Sequence, residues 1–239
     1  MNDVNVLIVI QARSNSTRFP KKIYQLLGDK MVLQHVVDQA LSSKLYVERS
    51  AQKKIYCSVA VAHPENDEQL KTTFKKCGAF LVGGSEQDVL SRYISAAEQF
   101  KADYVVRLTS DCPLVLDFMI SKHVHTAVYN ELDYVSNVDE DVRLIFDGMD
   151  VEIMSKKAIE FLKDNARTDF DKEHVTTMLR RDRPKSLRFG FVSSRFDSSK
   201  MKLSLDTPED LENIRAYFHE KEVKIKLAQK RYGKNVYNI

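Results

Sequence analysis

Residues 4–11, with the sequence VNVLIVIQ, form an almost unbroken run of β-branched and other apolar residues. Such a run is typical of a strand covered on both faces, as in a parallel sheet flanked by helices. A polar loop, residues 12–24, follows directly and contains four cations: Arg13, Arg18, Lys21 and Lys22. The chain therefore opens with a buried strand that ends in a basic loop.

The rest of the sequence alternates between strand and helix patterns. The first half predicts strands and helices in turn: strands 55–62, 79–82 and 104–109, and helices 31–42, 67–76, 86–100 and 117–130. The second half is less regular and predicts strands 134–137, 149–154, 186–193 and 202–205, and helices 156–164, 171–181 and 208–218. This order predicts one α/β domain with a mostly parallel sheet, flanked by helices, and a mixed-strand second half.

Composition narrows the functional classes. The 239 residues are 43% hydrophobic with a net charge of +3, which predicts a folded domain and gives little support to nucleic acid or anionic membrane as partner. Three widely spaced cysteines form no C-x-x-C pair, which argues against a disulfide framework and structural zinc. No run approaches the ~20 apolar residues of a membrane helix, so we expect a cytoplasmic protein. No glycine-rich phosphate motif occurs among the seven glycines.

The basic loop lies where ligands bind in open α/β sheets, outside the carboxyl end of a strand. Four cations in so short a loop repel one another unless an anion compensates them. Ser14, Asn15, Ser16 and Thr17 add the neutral donors that phosphate oxygens also accept from. The pattern favours a polyphosphate site, and the alternative is a solvated basic turn.

Two aspartates follow predicted strands further along the chain. Asp111 comes after strand 104–109, and Asp206 comes after strand 202–205. Two carboxylates converging from separate strand ends suit Mg²⁺, which takes one or two protein carboxylates and completes its shell with water and phosphate oxygens. The alternative for the second position is helix capping by Asp206 or Thr207.

Three further segments offer polar groups. Asp150 and Glu152 are expected on one face of a strand, where paired acids call for a polar ligand or protect a strand edge. Glu173 and His174 lie in a predicted helix, where a lone histidine is usually a satisfied polar group. The turn at 83–92 offers groups to a base or ribose, although Ser85 as the helix N-cap explains it equally.

The loop Gln11-Ala-Arg-Ser-Asn-Ser-Thr-Arg-Phe-Pro-Lys-Lys22 resembles the nucleotide-binding loop of the cytidylyltransferase family, written Q/P-A-R-x-G/A-S-T-R-L-P-G-K. Further segments resemble the family in the same order: 88–92, 107–114, 147–152, 173–174 and 205–211. The family includes CMP-Kdo and CMP-sialic acid synthetases, and the chain is most similar to its branch called spore coat polysaccharide biosynthesis protein F. The sequence departs from the pattern at Asn15, Lys21 and Ser110, where the family prefers small residues.

The resemblance implies a Rossmann-like nucleotide-diphospho-sugar transferase fold, CTP as donor, an acidic sugar as acceptor, Mg²⁺ as cofactor and often a homodimer. It implies an enzyme that transfers CMP and releases pyrophosphate in surface or spore-coat polysaccharide biosynthesis. The expected division is a nucleotide-binding half at 1–116, an acceptor-sugar and metal half at 117–220, and a basic tail at 221–239. The tail lacks aromatic interleaving and predicts a solvated helix.

The resemblance also assigns roles to the candidate residues. Arg13 and Lys22 match phosphate-contacting residues and are expected to be catalytic together with Asp111, which with Asp206 matches the metal-binding aspartates. The expected nucleotide-binding set is Gln11, Ala12, Arg13, Ser14, Arg18, Lys22, Ser85, Asp88, Arg92 and Asp111. The expected acceptor-binding set is Arg107, Asp150, Glu152, Glu173 and His174.

Other functions remain open from the sequence. A glycosyltransferase of the same fold would consume a finished nucleotide-sugar. A non-catalytic nucleotide-sensing or assembly protein would bind CTP without turnover. Direct binding of nucleic acid ranks last, because the cations cluster in one loop and one tail instead of along a stripe.

Overall fold

The computed structural model of the chain describes residues 3–49, 53–139, 145–193 and 202–232, with backbone alone from residue 222 onward. Its strands are β1 (Val4–Gln11), β2 (Leu26–Leu27), β3 (Lys30–Met31), β4 (Ile55–Pro64), β5 (Phe80–Gly84), β6 (Tyr104–Thr109), β7 (Tyr134–Ser136), β8 (Glu152–Ser155) and β9 (Phe189–Phe191). Its helices are α1 (Val32–Glu48), α2 (Glu68–Phe74), α3 (Val89–Gln99), α4 (Asp117–Tyr129), α5 (Lys156–Asn165), α6 (Asp169–His174), α7 (Thr177–Asp182) and α8 (Pro208–Tyr232). A 3₁₀ turn spans Lys22–Tyr24.

Within the described residues, the main sheet has the strand order β5-β4-β1-β6-β8-β7-β9. β1 lies near its centre and pairs in parallel with β4 and β6. β8 is antiparallel to both of its neighbours, which gives the sheet its mixed second half. In the register, Gln11 pairs with Ala62 and with Thr109, so β1 and β6 end at the same edge of the sheet.

Alternation along β1 divides the core between the two faces of the sheet. Ile8 and Ile10 pack with buried residues of α1, α2 and α4, while Leu7 and Val9 pack with those of α3, α5 and α7. A third apolar cluster joins α8 to the loops beyond the sheet edge through Leu203, Leu205 and other residues. These contacts confirm the prediction of a mostly parallel sheet covered by helices on both faces.

Four predicted elements differ from the structure. Segment 202–205 is no strand, since its backbone bonds two separate loops and makes only an isolated bridge between Asp147 and Lys202. Strand 149–154 begins only at Glu152. Predicted helix 171–181 is broken at Val175, whose φ is +46°. α8 continues beyond its predicted end at residue 218 to Tyr232, and the side chains from 222 and residues 233–239 lie outside the described part of the chain.

None of the helices in the described part of the chain is both long and apolar enough to cross a membrane.

Candidate active site

The ammonium group of Lys22 lies between two carboxylates from distant parts of the chain. Its Nζ donates to Asp111 Oδ2 at 2.7 Å and to Asp206 Oδ1 at 3.2 Å. It also donates to the carbonyl oxygen of Leu205 at 2.8 Å, and its side chain is 13% exposed. The structure therefore brings the basic loop together with both aspartates that follow the predicted strands.

Backbone hydrogen bonds join the loops that carry the two aspartates. Asp111 follows β6 closely, and its carbonyl oxygen accepts from the Leu205 amide at 2.8 Å. Two residues earlier, the Leu203 amide donates to the carbonyl oxygen of Asp147 at 2.5 Å. A Cβ on Gly148, whose φ is +105°, would lie 2.4 Å from the Leu203 carbonyl carbon. The approach of these loops therefore depends on glycine at position 148.

The side chain of Asp206 faces cations and does not cap α8. Its Oδ1 accepts from Arg18 at 2.9 Å, and its Oδ2 lies 3.3 Å from Lys202 Nζ. Thr207 and Asp210 cap the helix instead: the Asp210 carboxylate accepts from the Thr207 amide at 2.8 Å, and Thr207 Oγ1 accepts from the Asp210 amide at 3.2 Å. Of the two capping residues that the sequence allowed, only Thr207 serves the helix.

Charge compensation controls the ionisation of Asp111. Burial by itself would raise the pKa of its carboxyl, but the Lys22 ammonium outweighs burial and holds this pKa below its usual value. Burial and the negative charge of Asp111 raise the pKa of the Cys112 thiol well above normal. The site therefore presents an ionised carboxylate beside a protonated thiol, which is a poor nucleophile.

Arg13 lines a cavity of about 780 Å³ beside the N-terminus of α3. Ser85 and Asp88 line the same cavity from the turn after β5, and Glu173 lines it from α6. The structure thus gathers three residues of the expected nucleotide-binding set and one of the expected acceptor-binding set around one space.

Asp88, not Ser85, caps helix α3. Asp88 Oδ1 accepts from the Ser91 amide at 2.8 Å, whereas Ser85 Oγ accepts from the Asp88 amide at 3.0 Å. The prediction of Ser85 as the N-cap is therefore wrong, because the chain makes a further turn before the helix begins.

Arg92, in the first turns of α3, carries a buried charge without a hydrogen-bond partner. It is 1% exposed, and no described residue accepts a hydrogen bond from its Nε, Nη1 or Nη2. Burial lowers the pKa of its guanidinium, and the nearby charge of Arg13 acts in the same direction. Gly84 makes room for it, because a Cβ there would lie 2.8 Å from Arg92 Cγ. Such a group is costly unless a ligand or water accepts from it.

The end of β1 and the start of the loop carry three further residues of the expected nucleotide-binding set. Gln11 has a buried Oε1 that receives no hydrogen bond from the described residues. Ala12 is buried, and its amide donates to the carbonyl oxygen of Ala62 at 2.9 Å. Ser14 is buried as well, and its hydroxyl bonds Asp67 and Tyr24. Their contacts with a nucleotide stay predictions.

The family model described as Cytidylyltransferase matches residues 7–237. The chain belongs to the cytidylyltransferase family. The spore coat polysaccharide biosynthesis protein SpsF of Bacillus subtilis (strain 168) is 30% identical over 228 residues, which cover 92% of this chain and 88% of that protein.

Two further matches agree. The 3-deoxy-manno-octulosonate cytidylyltransferase of Solibacter usitatus (strain Ellin6076) is 26% identical over 250 residues, covering 89% of this chain and 94% of that protein. The solved structure of a cytidylyltransferase from Leptospira borgpetersenii serovar Hardjo-bovis (strain JB197) has a TM-score of 0.78 at 26% identity, and the match covers 99% of this chain and all of that one. These matches confirm the predicted family and fold, and the protein is a nucleotidyltransferase.

In this cytidylyltransferase, Glu152 forms a buried network on the α3 side of the sheet. Its carboxylate accepts from Arg107 and from Arg180 at 2.5 Å each, and the Tyr134 hydroxyl donates to it as well. Burial would raise the pKa of Glu152, but the two arginines outweigh it and lower the pKa. The prediction that Asp150 and Glu152 share one face of a strand is wrong, because β8 begins at Glu152. The alternative, charges that protect a strand edge, is wrong as well, because β8 has a neighbouring strand on each side.

Sequence reasoning missed Arg180. Besides Glu152, its Nη1 donates to Thr176 Oγ1 at 3.0 Å. A glutamate in a buried strand signals that cations must compensate it. The sequence does not show that Arg180 supplies the second cation, since several arginines stand close together in this segment.

The remaining acceptor candidates lie outside this network. Glu173 and His174 are exposed on α6, and the His174 ring packs on Phe170 with ring centroids 4.3 Å apart. Asp150 is partly exposed in the turn before β8. Whether these side chains contact an acceptor stays a prediction.

The donor set at Lys22 fits Mg²⁺. The carboxylates of Asp111 and Asp206 lie close enough to bond one ammonium, and two carboxylates are what this ion commonly takes from a protein. Among the described residues, no group of three or more His, Cys, Asp or Glu side chains is arranged to hold a metal. A bound Mg²⁺ would therefore need oxygens from water or phosphate to complete its shell.

Proposed function

We propose that this cytidylyltransferase transfers CMP from CTP to an acidic sugar in an Mg²⁺-dependent reaction. The observation that carries the proposal is the position of Lys22 between Asp111 and Asp206, in the loop that presents Arg13 to a cavity of about 780 Å³. Membership of the cytidylyltransferase family supports CTP as the nucleotide, and the relative named for 3-deoxy-manno-octulosonate supports an acidic sugar as acceptor.

The basic loop acts on the leaving group. The hydroxyl oxygen of the sugar attacks the α-phosphorus of CTP and forms a new P–O bond, the bond from this phosphorus to pyrophosphate breaks, and the hydroxyl proton passes to solvent. Arg13 and Lys22 stabilise the charge that builds on the pyrophosphate. Asp111 and Asp206 would hold Mg²⁺, which when bound would neutralise the charge of the phosphates and align them. No protein nucleophile is needed, in keeping with the protonated thiol of Cys112.

The buried guanidinium of Arg92 supports a nucleotide on the α3 side of the loop. Because no described residue accepts from it, a ligand oxygen would relieve an unpaired buried charge. Ser85 and Asp88 line the cavity at the N-terminus of α3, and we expect Gln11 and Ala12 to contact the nucleotide from the end of β1. We expect the nucleotide in the half formed by residues 1–116 and the acceptor on the side of residues 117–220.

The acceptor side is held by the Glu152 network and faces the cavity through Glu173. We expect Glu173, His174 and Asp150 to contact the sugar, while Arg107 and Glu152 support its wall. The CMP-sugar product would serve surface or spore-coat polysaccharide biosynthesis, in keeping with the Bacillus subtilis relative. We expect the enzyme to work in the cytoplasm as a homodimer.

Pyrophosphate release tests the proposal. The enzyme is incubated with CTP, Mg²⁺ and each member of a panel of sugar acids, and we expect pyrophosphate with at least one of them. Asp111→Asn should abolish release, while the variant still folds and shows a cooperative thermal transition. The matched control is Asp182→Asn, since Asp182 is an exposed carboxylate that pairs with Arg181.

Two results would contradict the proposal. Calorimetric binding of CTP and Mg²⁺ without turnover across the panel would favour a nucleotide-sensing protein. Transfer of sugar from a finished nucleotide-sugar, without pyrophosphate, would favour a glycosyltransferase of the same fold.

A further inference from the structure

The carboxylate of Asp67 is shared between a helix and the basic loop. It stands at the N-terminus of α2, where its Oδ1 accepts from the Leu70 amide at 3.0 Å. The same carboxylate reaches across to the loop, accepting from the Ser14 amide at 2.7 Å and from the Ser14 hydroxyl at 2.5 Å. α2 follows β4, the neighbour of β1, so the contact joins two adjacent strand ends.

Every polar group of Ser14 makes a hydrogen bond within the protein. Its hydroxyl lies 2.5 Å from the Tyr24 hydroxyl, and its carbonyl oxygen accepts from the Lys21 amide at 3.2 Å. The Tyr24 ring in turn packs against Phe74 of α2, with centroids 5.8 Å apart. Ser14 is 5% exposed, and in the free protein both its amide and its hydroxyl donate to Asp67.

The two expected phosphate-binding cations flank this point. Arg13 immediately precedes Ser14, and Lys22 immediately follows Lys21, whose left-handed conformation (φ +60°) turns the chain. Cations gathered in one loop repel one another. A loop held only by its ligand would have to be ordered on binding, which costs affinity.

We propose that Asp67 is a positioning residue, which holds the basic loop through Ser14 so that Arg13 and Lys22 are set for the phosphates before CTP binds. The role rests on the proposed function. Asp67 touches no phosphate itself and acts through the loop backbone. Its charge adds, at Ser14, to the compensation that Asp111 and Asp206 give to Lys22 in the free protein.

Asp67→Asn separates the loop contact from the helix cap. Asparagine is as good an N-cap as aspartate, so its oxygen keeps the cap to Leu70, but the NH₂ group that replaces Oδ2 is a donor and cannot accept from the Ser14 backbone amide. We expect the melting temperature to change little and the KM for CTP at saturating Mg²⁺ to rise about tenfold, the scale of a lost hydrogen bond to a charged group. A variant that merely unfolds in part would lower the apparent kcat and leave KM unchanged.

Glu68→Gln is the matched control. Glu68 is the next residue, carries the same charge and pairs with Lys71 on the surface, with 77% of its side chain exposed. This control should keep the KM of the unmodified enzyme. Adding Ser14→Ala to Asp67→Asn should raise KM by less than the two single changes together predict, because both weaken the contact between Asp67 and Ser14.

An unchanged KM in Asp67→Asn, or full additivity with Ser14→Ala, would overturn the role. If Asp67→Asn does not fold, Ser14→Ala and Tyr24→Phe decide the question by the same KM comparison, since neither touches the cap. If the enzyme itself releases no pyrophosphate from CTP, the proposed function fails separately. Hydrogen exchange of the backbone amides of residues 12–22 in the ligand-free protein then tests whether Asp67 holds the loop. These amides should exchange faster in Asp67→Asn than in Glu68→Gln, and equal rates would reject the positioning role.

Discussion

Asp111 and Asp206 come from different loops, yet both carboxylates bond the same ammonium group. Without that cation the two negative charges would repel each other at close range. The position of Lys22 therefore links the stability of the free enzyme to the assembly of its active site.

Lys22→Met tests this link, since methionine keeps most of the side-chain length and removes the charge. We expect activity to fall at least about a hundredfold, as for other groups that stabilise transition-state charge. The melting temperature should also fall in metal-free buffer, and Mg²⁺ should restore more of it than in the unmodified enzyme. Thermal-shift measurements with and without Mg²⁺ check this, with the exposed Lys30→Met as control. An unchanged melting temperature in metal-free buffer would refute the link.

Arg92→Met should separate stability from nucleotide binding. Removing an unpaired buried charge is expected to raise the melting temperature of the ligand-free protein. The same change should reduce the further rise that CTP and Mg²⁺ produce, because a donor to the nucleotide is lost. A variant that is destabilised but still responds fully to CTP would show that Arg92 serves the fold instead.

Glu152→Gln should destabilise the fold strongly. It leaves two arginines without their buried counter-charge, a change that typically costs about 3–5 kcal/mol. Urea unfolding measures the effect. The control is Asp182→Asn, which removes an exposed carboxylate that pairs with Arg181 and should have little effect. Equal urea midpoints for the two variants would contradict the buried network.

Gly148→Ala should disturb the loop that carries Asp206. The added Cβ would lie 2.4 Å from the Leu203 backbone at a φ of +105°, so strain of at least about 2 kcal/mol is expected together with loss of activity. Gly83→Ala is the matched control, since its Cβ would find its nearest neighbour at 3.5 Å. The measurements are the free energy of unfolding in denaturant and the rate of pyrophosphate release. If both values in Gly148→Ala match those of the control, the close approach of Gly148 to the Leu203 backbone is refuted.

His123 predicts a pH dependence of stability. The ring is buried in α4 with Nδ1 2.6 Å from the Met119 carbonyl oxygen, and burial lowers its pKa to about 4 from 6.5. Between these values the unfolded chain binds the extra proton, so the free energy of unfolding rises with pH, by up to about 3 kcal/mol. This contribution is fully present above pH 6.5 and is lost as the pH falls towards 4.

Urea unfolding at a series of pH values measures this slope. His123→Leu should flatten it between pH 4 and 6.5, whereas the exposed His219→Gln should keep it. If the free energy of unfolding still rises with pH in His123→Leu, the pH dependence belongs to other groups.

Regular patterns predicted the first half of the fold closely. β1 and β6 have the predicted limits, because their buried apolar runs stop where polar strand-end loops begin. Segment 202–205 was predicted as a strand from the same kind of apolar run. In the structure, Leu203 and Leu205 are buried against α8, and their amides bond two different loops, so burial occurs without strand pairing.

In the active site, too, some features could be predicted from the sequence and others could not. The meeting of Lys22 with Asp111 was readable, since parallel strands bring their carboxyl ends to one edge. Asp206 joins them although segment 202–205 is no strand, because its backbone bonds the loop of Asp111. The family pattern has glycine where this chain has Lys21, and the structure explains the preference, because the residue adopts a φ of +60°. The partners of Ser14 and Glu152 were not readable, because neither Asp67 nor Arg180 belongs to a recognisable local pattern.

The sequence by itself determined the α/β order, the family and the kinds of side chain that stand at the sheet edge. It could do so because burial imposes periodic patterns and because motifs are contiguous. Only the tertiary structure decided which charge meets which: Lys22 with two aspartates, Glu152 with two arginines, Asp67 with the basic loop. Such pairings depend on distances of a few ångströms between segments far apart in the chain, and a linear pattern carries no measure of those distances.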